Sequence, residues 1–111
     1  IIKQAESEMT YSYKFNEAAQ IEYEEALDWY LERSQKAAEG FVNSIDAALY
    51  KICTYPFRYK NTYKHFHEIG LNKYPFILIY SIEEPDNIIA VWKVFHYKKN
   101  PKKKYSGLQK K

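Results

Sequence analysis

The chain has 111 residues, the usual length of one domain, and 46% of them are hydrophobic. This composition excludes intrinsic disorder, and the longest run of apolar and aromatic residues, from Pro75 to Tyr80, is too short to span a bilayer. The single cysteine, Cys53, excludes an internal disulfide and a cysteine-rich metal centre. We therefore expect one domain in a reducing compartment, by default the cytoplasm.

The net charge of +3 conceals a strong separation of charge along the chain. Residues 97–111 carry only basic charged residues, which leaves the rest of the chain net acidic. The basic residues of this segment are Lys98, Lys99, Lys102, Lys103, Lys104, Lys110 and Lys111. Clustered lysines predict an anionic partner, either a nucleic acid or an acidic protein surface, and a purely solubilising tail is the alternative.

The first half of the chain predicts a strand followed by two helices. Tyr11, Tyr13 and Phe15 alternate with polar residues, which is typical of a short strand with one buried face. Apolar residues then recur at steps of three and four, and they predict an amphipathic helix over residues 17–33. Ser34 can cap a second helix, which should end before the Tyr55-Pro56 pair.

The second half of the chain predicts an antiparallel sheet. Strand-like segments lie near residues 64–71, 75–83 and 88–97, and the last two are separated by turn residues at 84–87. The predicted fold is therefore α+β: an N-terminal strand, a two-helix hairpin and a three-stranded antiparallel meander that forms one sheet. In the last two segments, the residues that face either side of the sheet are apolar. Both faces of the sheet should therefore be covered.

These elements predict the boundaries of a single domain. Residues 10–105 form the domain, residues 1–9 form an extension or lead, and residues 106–111 form the basic tail.

Two strings carry a family resemblance. The segment from Asn72 to Tyr80 reads Asn-Lys-Tyr-Pro-Phe-Ile-Leu-Ile-Tyr, and Ile89-Ala-Val-Trp-Lys-Val-Phe-His96 follows it. The ending Val94-Phe-His-Tyr-Lys-Lys-Asn-Pro101 and the order of the elements complete the pattern. From about Tyr11 to Lys104 the chain resembles the RelE/ParE superfamily of toxins from type II toxin–antitoxin systems, also known as plasmid stabilisation proteins.

The resemblance implies a small toxin that arrests growth and is neutralised by a cognate antitoxin protein. RelE-like members cut mRNA on the ribosome, whereas ParE-like members inhibit DNA gyrase without cutting RNA. The antitoxin should cover an apolar groove beside the helix hairpin or across the sheet. No cofactor and no membrane partner are implied.

A metal-free ribonuclease needs a base, an acid and cations that stabilise the charged phosphorane. The candidate catalytic residues are His96 and Tyr97, which resemble the His-Tyr ending of YoeB-like nucleases. The lysines that could contact a target or a nucleic acid are Lys64, Lys73, Lys98, Lys99, Lys102, Lys103 and Lys104. His65 and His67 share one face of a strand, but no further ligand stands at metal spacing, so no metal site is predicted.

The chain departs from the nuclease pattern at His67 and Glu68. Members of the superfamily that the chain resembles usually carry arginine at this place, and in the nucleases among them a strand arginine contacts the scissile phosphate. Here the only arginines are Arg33 and Arg58, and neither is on a predicted middle strand. Lysine lacks the bidentate fork that fits a phosphate. We therefore expect a ParE-like toxin that acts on gyrase, with an mRNA endoribonuclease and an inactive interaction module as alternatives.

Overall fold

The first strand and both helices form where the sequence predicts them. The computed structural model describes residues 10–99 and 101–108. It contains β1 (Ser12–Phe15), α1 (Glu17–Leu31) and α2 (Gln35–Thr54). Ser34 caps α2, because its hydroxyl oxygen accepts the N–H of Ala37 at 3.0 Å. No helix within these two ranges is long and apolar enough to cross a membrane.

A few predictions fall on residues outside the described ranges. These are the lead at residues 1–9, Asn100 of the family-like ending, and the last two lysines of the tail, Lys110 and Lys111.

The sheet has one strand more than the sequence predicts. Its strands after the helices are β2 (Lys60–Tyr63), β3 (Phe66–Gly70), β4 (Phe76–Glu83) and β5 (Ile88–His96). The order across the sheet is β1-β5-β4-β3-β2, with β1 parallel to β5 and the other pairs antiparallel. The α+β class and the predicted meander are confirmed, and β2 is the addition. The sequence does not predict β2 because its polar and aromatic residues lack a clear alternation.

A bulge in β5 changes which residues face the helices. Between the Tyr80–Val91 pair and the Ile79–Lys93 pair, β5 advances by two residues while β4 advances by one. Val91, before the bulge, and Val94, after it, both pack into the core under the helices. Phe95 packs on the opposite face of the sheet. The bulge therefore turns His96 toward the helices, where its ring lies 4.9 Å from that of Phe76.

Each face of the sheet has its own core. The helices cover one face, with Phe41, Ile45 and Ile52 of α2 fully buried against the strands. On the other face, Phe66, Ile79 and Phe95 pack with Leu108, which is 4% exposed. The prediction that both faces are covered is thus confirmed, and the chain's own C-terminal segment covers the outer one. The core extends into the segment that the sequence analysis assigned to the tail.

Gly40 lets the β3–β4 loop approach α2. The hydroxyl of Tyr74 donates to the carbonyl oxygen of Ala37 at 2.8 Å. A Cβ on Gly40 would collide with that hydroxyl oxygen. The absence of a side chain at this helix position therefore lets Tyr74 pack closely against α2.

Candidate functional site

The predicted lysines lie at two different ends of the sheet. The Phe76–His96 pair places Lys98 and Lys99 beside the start of β4, and Lys73 lies in the loop just before that start. Lys64 lies in the turn between β2 and β3, at the opposite end of β3. Lys73, Lys98 and Lys99 are exposed and form one basic end of the sheet, to which Lys64 does not contribute.

His96 sits at this basic end with an environment that favours the neutral imidazole. Burial lowers the pKa of His96, and the neighbouring Lys99 and Lys98 lower it further. Its Nδ1 accepts the main-chain N–H of Lys98 at 3.2 Å. A neutral ring with Nδ1 as the acceptor carries its proton on Nε2, so neither nitrogen offers an unused lone pair to a substrate. In this arrangement the ring offers a substrate a hydrogen-bond donor, Nε2–H.

Tyr97, Lys102 and Lys103 are exposed in the segment that follows β5. Tyr97 donates its main-chain N–H to the carbonyl oxygen of Pro75 at 3.1 Å, and the residue is 46% exposed. Lys102 and Lys103 are exposed on the short 3₁₀ helix Pro101–Lys103. These exposed side chains are available to a partner.

Within the described part of the tail, Lys104 forms an internal ion pair. Its Nζ lies 2.9 Å from Oε1 of Glu68 on β3. The other oxygen of Glu68 accepts from the hydroxyl of Tyr105 at 2.7 Å and from the hydroxyl of Thr62. Burial raises the pKa of Glu68, but these hydrogen bonds and Lys104 outweigh it, so that the pKa is lowered. Glu68 thus fixes the tail to the outer face of the sheet.

His67 is also committed to the fold. Its ring stacks on Tyr80 with a centroid distance of 5.4 Å, and its Nδ1 lies 3.0 Å from the carbonyl oxygen of Tyr59. The two residues that stand where a phosphate-binding arginine is expected therefore serve internal contacts. Within the described ranges, no cluster of three or more histidine, cysteine or carboxylate side chains could hold a metal ion.

Lys93 is a functional candidate that the sequence analysis missed. It is only 9% exposed, and its ammonium donates to the carbonyl oxygens of Lys103 and Ser106 at 2.9 and 3.3 Å. Burial lowers its pKa, although nearby Glu22 partly offsets this effect. The sequence pattern that could have indicated this residue is a lysine within the apolar string Ala-Val-Trp-Lys-Val-Phe. A lysine at such a position is expected to be buried, and a buried lysine needs partners of its own.

A groove of about 820 Å³ opens beside the second half of β5. We name it the edge groove and define it by three walls. The α1 wall consists of Glu22, Glu25, Ala26, Trp29 and Tyr30; the strand wall runs from Lys93 to His96; and the tail wall consists of Lys99, Lys103 and Ser106. Pro75 and Phe76 close the end of the groove. The groove therefore has an acidic and aromatic side and a basic side.

Comparison with known proteins identifies the family. Residues 13–101 match the model of the ParE toxin of the type II toxin–antitoxin system parDE. The fold is similar to a chain in the structure of the chromosomal ParDE toxin–antitoxin system from P. aeruginosa, with a TM-score of 0.65 and 13% identity. That match covers 78% of this chain and 95% of the other. No curated protein matches the chain.

The family match spans both helices and, from the second residue of β1 onward, the five strands, and the structural likeness independently agrees with the fold. The chain therefore belongs to the ParE toxin family of type II toxin–antitoxin systems.

Proposed function

We propose that this protein is a toxin that arrests growth in the cytoplasm by binding DNA gyrase, and that a cognate antitoxin neutralises it. The observation that carries the choice of a non-nucleolytic mechanism is the environment of Glu68. An acid stands where the nuclease pattern requires a cation, and its charge is matched by Lys104.

The hydrogen bonding of His96 also supports a non-nucleolytic mechanism. Cleavage of RNA without a metal requires a base that can take the proton of the ribose 2′-OH. The Nδ1 atom of His96 is engaged by the main chain, and Lys64 lies at the other end of the sheet. Lys64 is therefore too far from His96 to act with it on one phosphate.

The basic end of the sheet supports a binding mechanism. Exposed Lys73, Lys98, Lys99 and Lys102 form a positive surface beside the aromatic ring of Tyr97. Such a surface attracts an acidic protein or a nucleic acid without requiring chemistry. We therefore assign the contact with gyrase to these side chains, and we assign an internal role to Lys104.

An in-cell experiment tests the proposal. The toxin is expressed from a regulated promoter together with a reporter plasmid, and growth, plasmid topology and mRNA integrity are followed after induction. The proposal expects arrest, loss of negative supercoiling and intact mRNA. Arrest with cleaved mRNA and normal supercoiling would contradict it. A fragment library of the source genome, selected for relief of arrest, then supplies the neutralising protein.

A further inference from the structure

The two most exposed large hydrophobic side chains of the described chain lie close together, just after the end of α2. Tyr55 is 52% exposed and Phe57 is 63% exposed, and the buried Pro56 stands between them. Neighbouring exposed rings, unlike scattered ones, indicate a contact surface.

The fold holds this segment in a fixed position. The hydroxyl of Tyr80 donates to the carbonyl oxygen of Pro56 at 2.6 Å. The ring of Phe57 lies edge-to-face with the ring of His67, with 6.3 Å between the centroids, and His67 itself stacks on Tyr80. The exposed rings are therefore presented on a rigid support, which lowers the ordering cost of binding.

Positive charge accompanies these rings. Residues 47–67 contain no aspartate or glutamate, and their four lysines and arginines are all exposed: Lys51, Arg58, Lys60 and Lys64. The guanidinium of Arg58 lies over the ring of Tyr55, 4.2 Å from its centroid. The surface is therefore both aromatic and cationic.

This surface follows the end of α2 and the outermost strand of the sheet. We name it the aromatic edge and define it as Lys51, Tyr55, Phe57, Arg58, Lys60 and Lys64. Lys60 begins β2, and Lys64 follows the end of that strand. At the end of β4, the acid Glu83 lies 3.5 Å from Lys14 of β1, on the other side of the sheet. The aromatic edge is also distinct from the basic end, because Lys64 lies at the opposite end of β3.

Flat rings beside cations match the chemistry of a single-stranded nucleic acid. Each nucleotide carries a base that stacks on aromatic side chains and a phosphate that attracts lysine and arginine. Guanidinium groups also stack on bases, so the Tyr55–Arg58 pair forms one platform and Phe57 forms a second. Lysines on an outer strand also protect it from pairing with other chains, but that role does not require exposed rings.

Two other anionic ligands fit this surface less well. An acidic peptide matches the charges but supplies no flat groups to cover the rings. A nucleic acid duplex keeps the faces of its bases inside its own stack, so they are unavailable to Tyr55 and Phe57.

We infer that the aromatic edge binds single-stranded nucleic acid, with bases stacked on Phe57 and on the Tyr55–Arg58 pair and with phosphates contacted by the three lysines. This activity is separate from the proposed contact with gyrase, which is assigned to the basic end of the sheet. It reads no sequence, because every base has a face that can stack.

Fluorescence anisotropy of the purified full-length protein tests the inference, with labelled strands of oligo(U) and oligo(dT) of about twelve nucleotides. A duplex and a poly-glutamate peptide of similar length are the competing ligands. We expect both single strands to bind at least about tenfold more tightly than the duplex or the peptide. The logarithm of the binding constant should fall with the logarithm of the salt concentration, with a slope of about −2 to −3 for three or four phosphate contacts. Tighter binding of oligo(U) would identify RNA as the ligand, and tighter binding of oligo(dT) would identify DNA.

Matched variants separate stacking from a general attraction of charge. Phe57→Ala removes a ring and no charge, and Tyr13→Ala removes a ring that is 47% exposed on β1, at the opposite edge of the sheet. Lys60→Glu reverses a charge of the aromatic edge, and Lys36→Glu makes the same change in the first turn of α2. We expect Phe57→Ala and Lys60→Glu each to weaken binding by about tenfold, and each control to change it by less than about twofold.

Three results would overturn the inference. The first is unchanged binding by Phe57→Ala and Lys60→Glu. The second is equal binding of the poly-glutamate peptide, which would show a site for an acidic protein. The third is loss of binding in Lys98→Glu but not in Lys60→Glu, which would place the nucleic acid at the basic end. Each result would leave the proposed action on gyrase standing, because plasmid topology measures that action separately.

Discussion

Lys104 on the C-terminal segment reaches across the outer face of the sheet to Glu68 on β3, with 2.9 Å between Nζ and Oε1. The two residues are 36 positions apart, and their contact converts a basic tail into part of the domain. The stacked rings of Tyr63 and Tyr105, 4.4 Å apart, and the buried side chain of Leu108 complete this attachment.

We predict that Glu68→Gln lowers the free energy of unfolding at pH 7 by about 1–3 kcal/mol, because it removes charge-assisted hydrogen bonds to Lys104 and Tyr105. The pKa of Glu68 is lower in the folded state, so its carboxylate stabilises the fold above the unfolded pKa of about 4.3. That contribution is lost as the pH falls through the folded pKa. Denaturant unfolding from pH 7 to pH 2 should show the variant and the wild type converging in acid. A constant difference across this range would contradict the assignment.

Glu22 on α1 accepts the main-chain N–H of Val94 at 2.7 Å, and its contribution to stability should depend on pH in the opposite way to that of Glu68. Its folded pKa is raised, so the folded state binds the proton more tightly and gains stability as the pH falls through that pKa. We predict that Glu22→Gln, which keeps an oxygen acceptor for Val94, stays within about 1 kcal/mol of the wild type at pH 7. Glu22→Ala leaves the N–H of Val94 without this acceptor and should cost about 1–3 kcal/mol.

The same unfolding measurements check this prediction. Relative to Glu22→Gln, the wild type should become more stable in acid. A wild type that loses stability relative to Glu22→Gln as the pH falls would show that the carboxylate is not disfavoured by burial.

The effect of Gly40→Ala on the free energy of unfolding should change sign when the hydroxyl of Tyr74 is removed. In an ordinary helix interior Gly→Ala stabilises by about 1 kcal/mol. Here Gly40→Ala should destabilise by about 1–2 kcal/mol, because the new methyl group displaces the Tyr74 hydroxyl from the carbonyl oxygen of Ala37. In a Tyr74→Phe background the hydroxyl is absent, and the same substitution should stabilise. Thermal unfolding of the four proteins in this cycle measures the coupling, and additive effects would exclude the proposed contact.

Substitutions at the basic end separate binding from catalysis. We predict that His96→Ala leaves growth arrest intact while it lowers stability by about 1 kcal/mol, because the ring packs against Phe76 and receives the Lys98 N–H. Combined charge reversal at Lys98, Lys99 and Lys102 should abolish arrest without affecting the fold. Arrest is scored by colony formation after induction, and circular dichroism controls for folding. Loss of arrest in His96→Ala with a normal fold would favour the nuclease alternative.

Much of the fold could be predicted because its elements have clear local signals. The three- and four-residue periodicity and Ser34 locate the helices to within about two residues, and Phe76–Glu83 matches the predicted strand. The bulge at Trp92 has no such signal, since it depends on how β5 pairs with β4. Because of this bulge, His96 lies on the face of the sheet that the helices cover.

The site was harder to predict than the fold because the tail contacts are non-local. Seven lysines within the last fifteen residues indicate a solvated arm. Only the folded sheet shows that Glu68 pairs with Lys104. Likewise, the edge groove exists because β1 ends at Phe15, beside Val91, while β5 continues to His96. Strand pairing across the chain, and not local pattern, sets both features.

The most direct measurement of the central claim is DNA supercoiling by gyrase in the presence of the purified toxin, with mRNA cleavage on programmed ribosomes assayed in parallel. The account predicts inhibition of supercoiling and intact mRNA, and it predicts the same result for His96→Ala. Ribosome-dependent cleavage with unaffected gyrase would contradict it and would assign His96 and Tyr97 to catalysis.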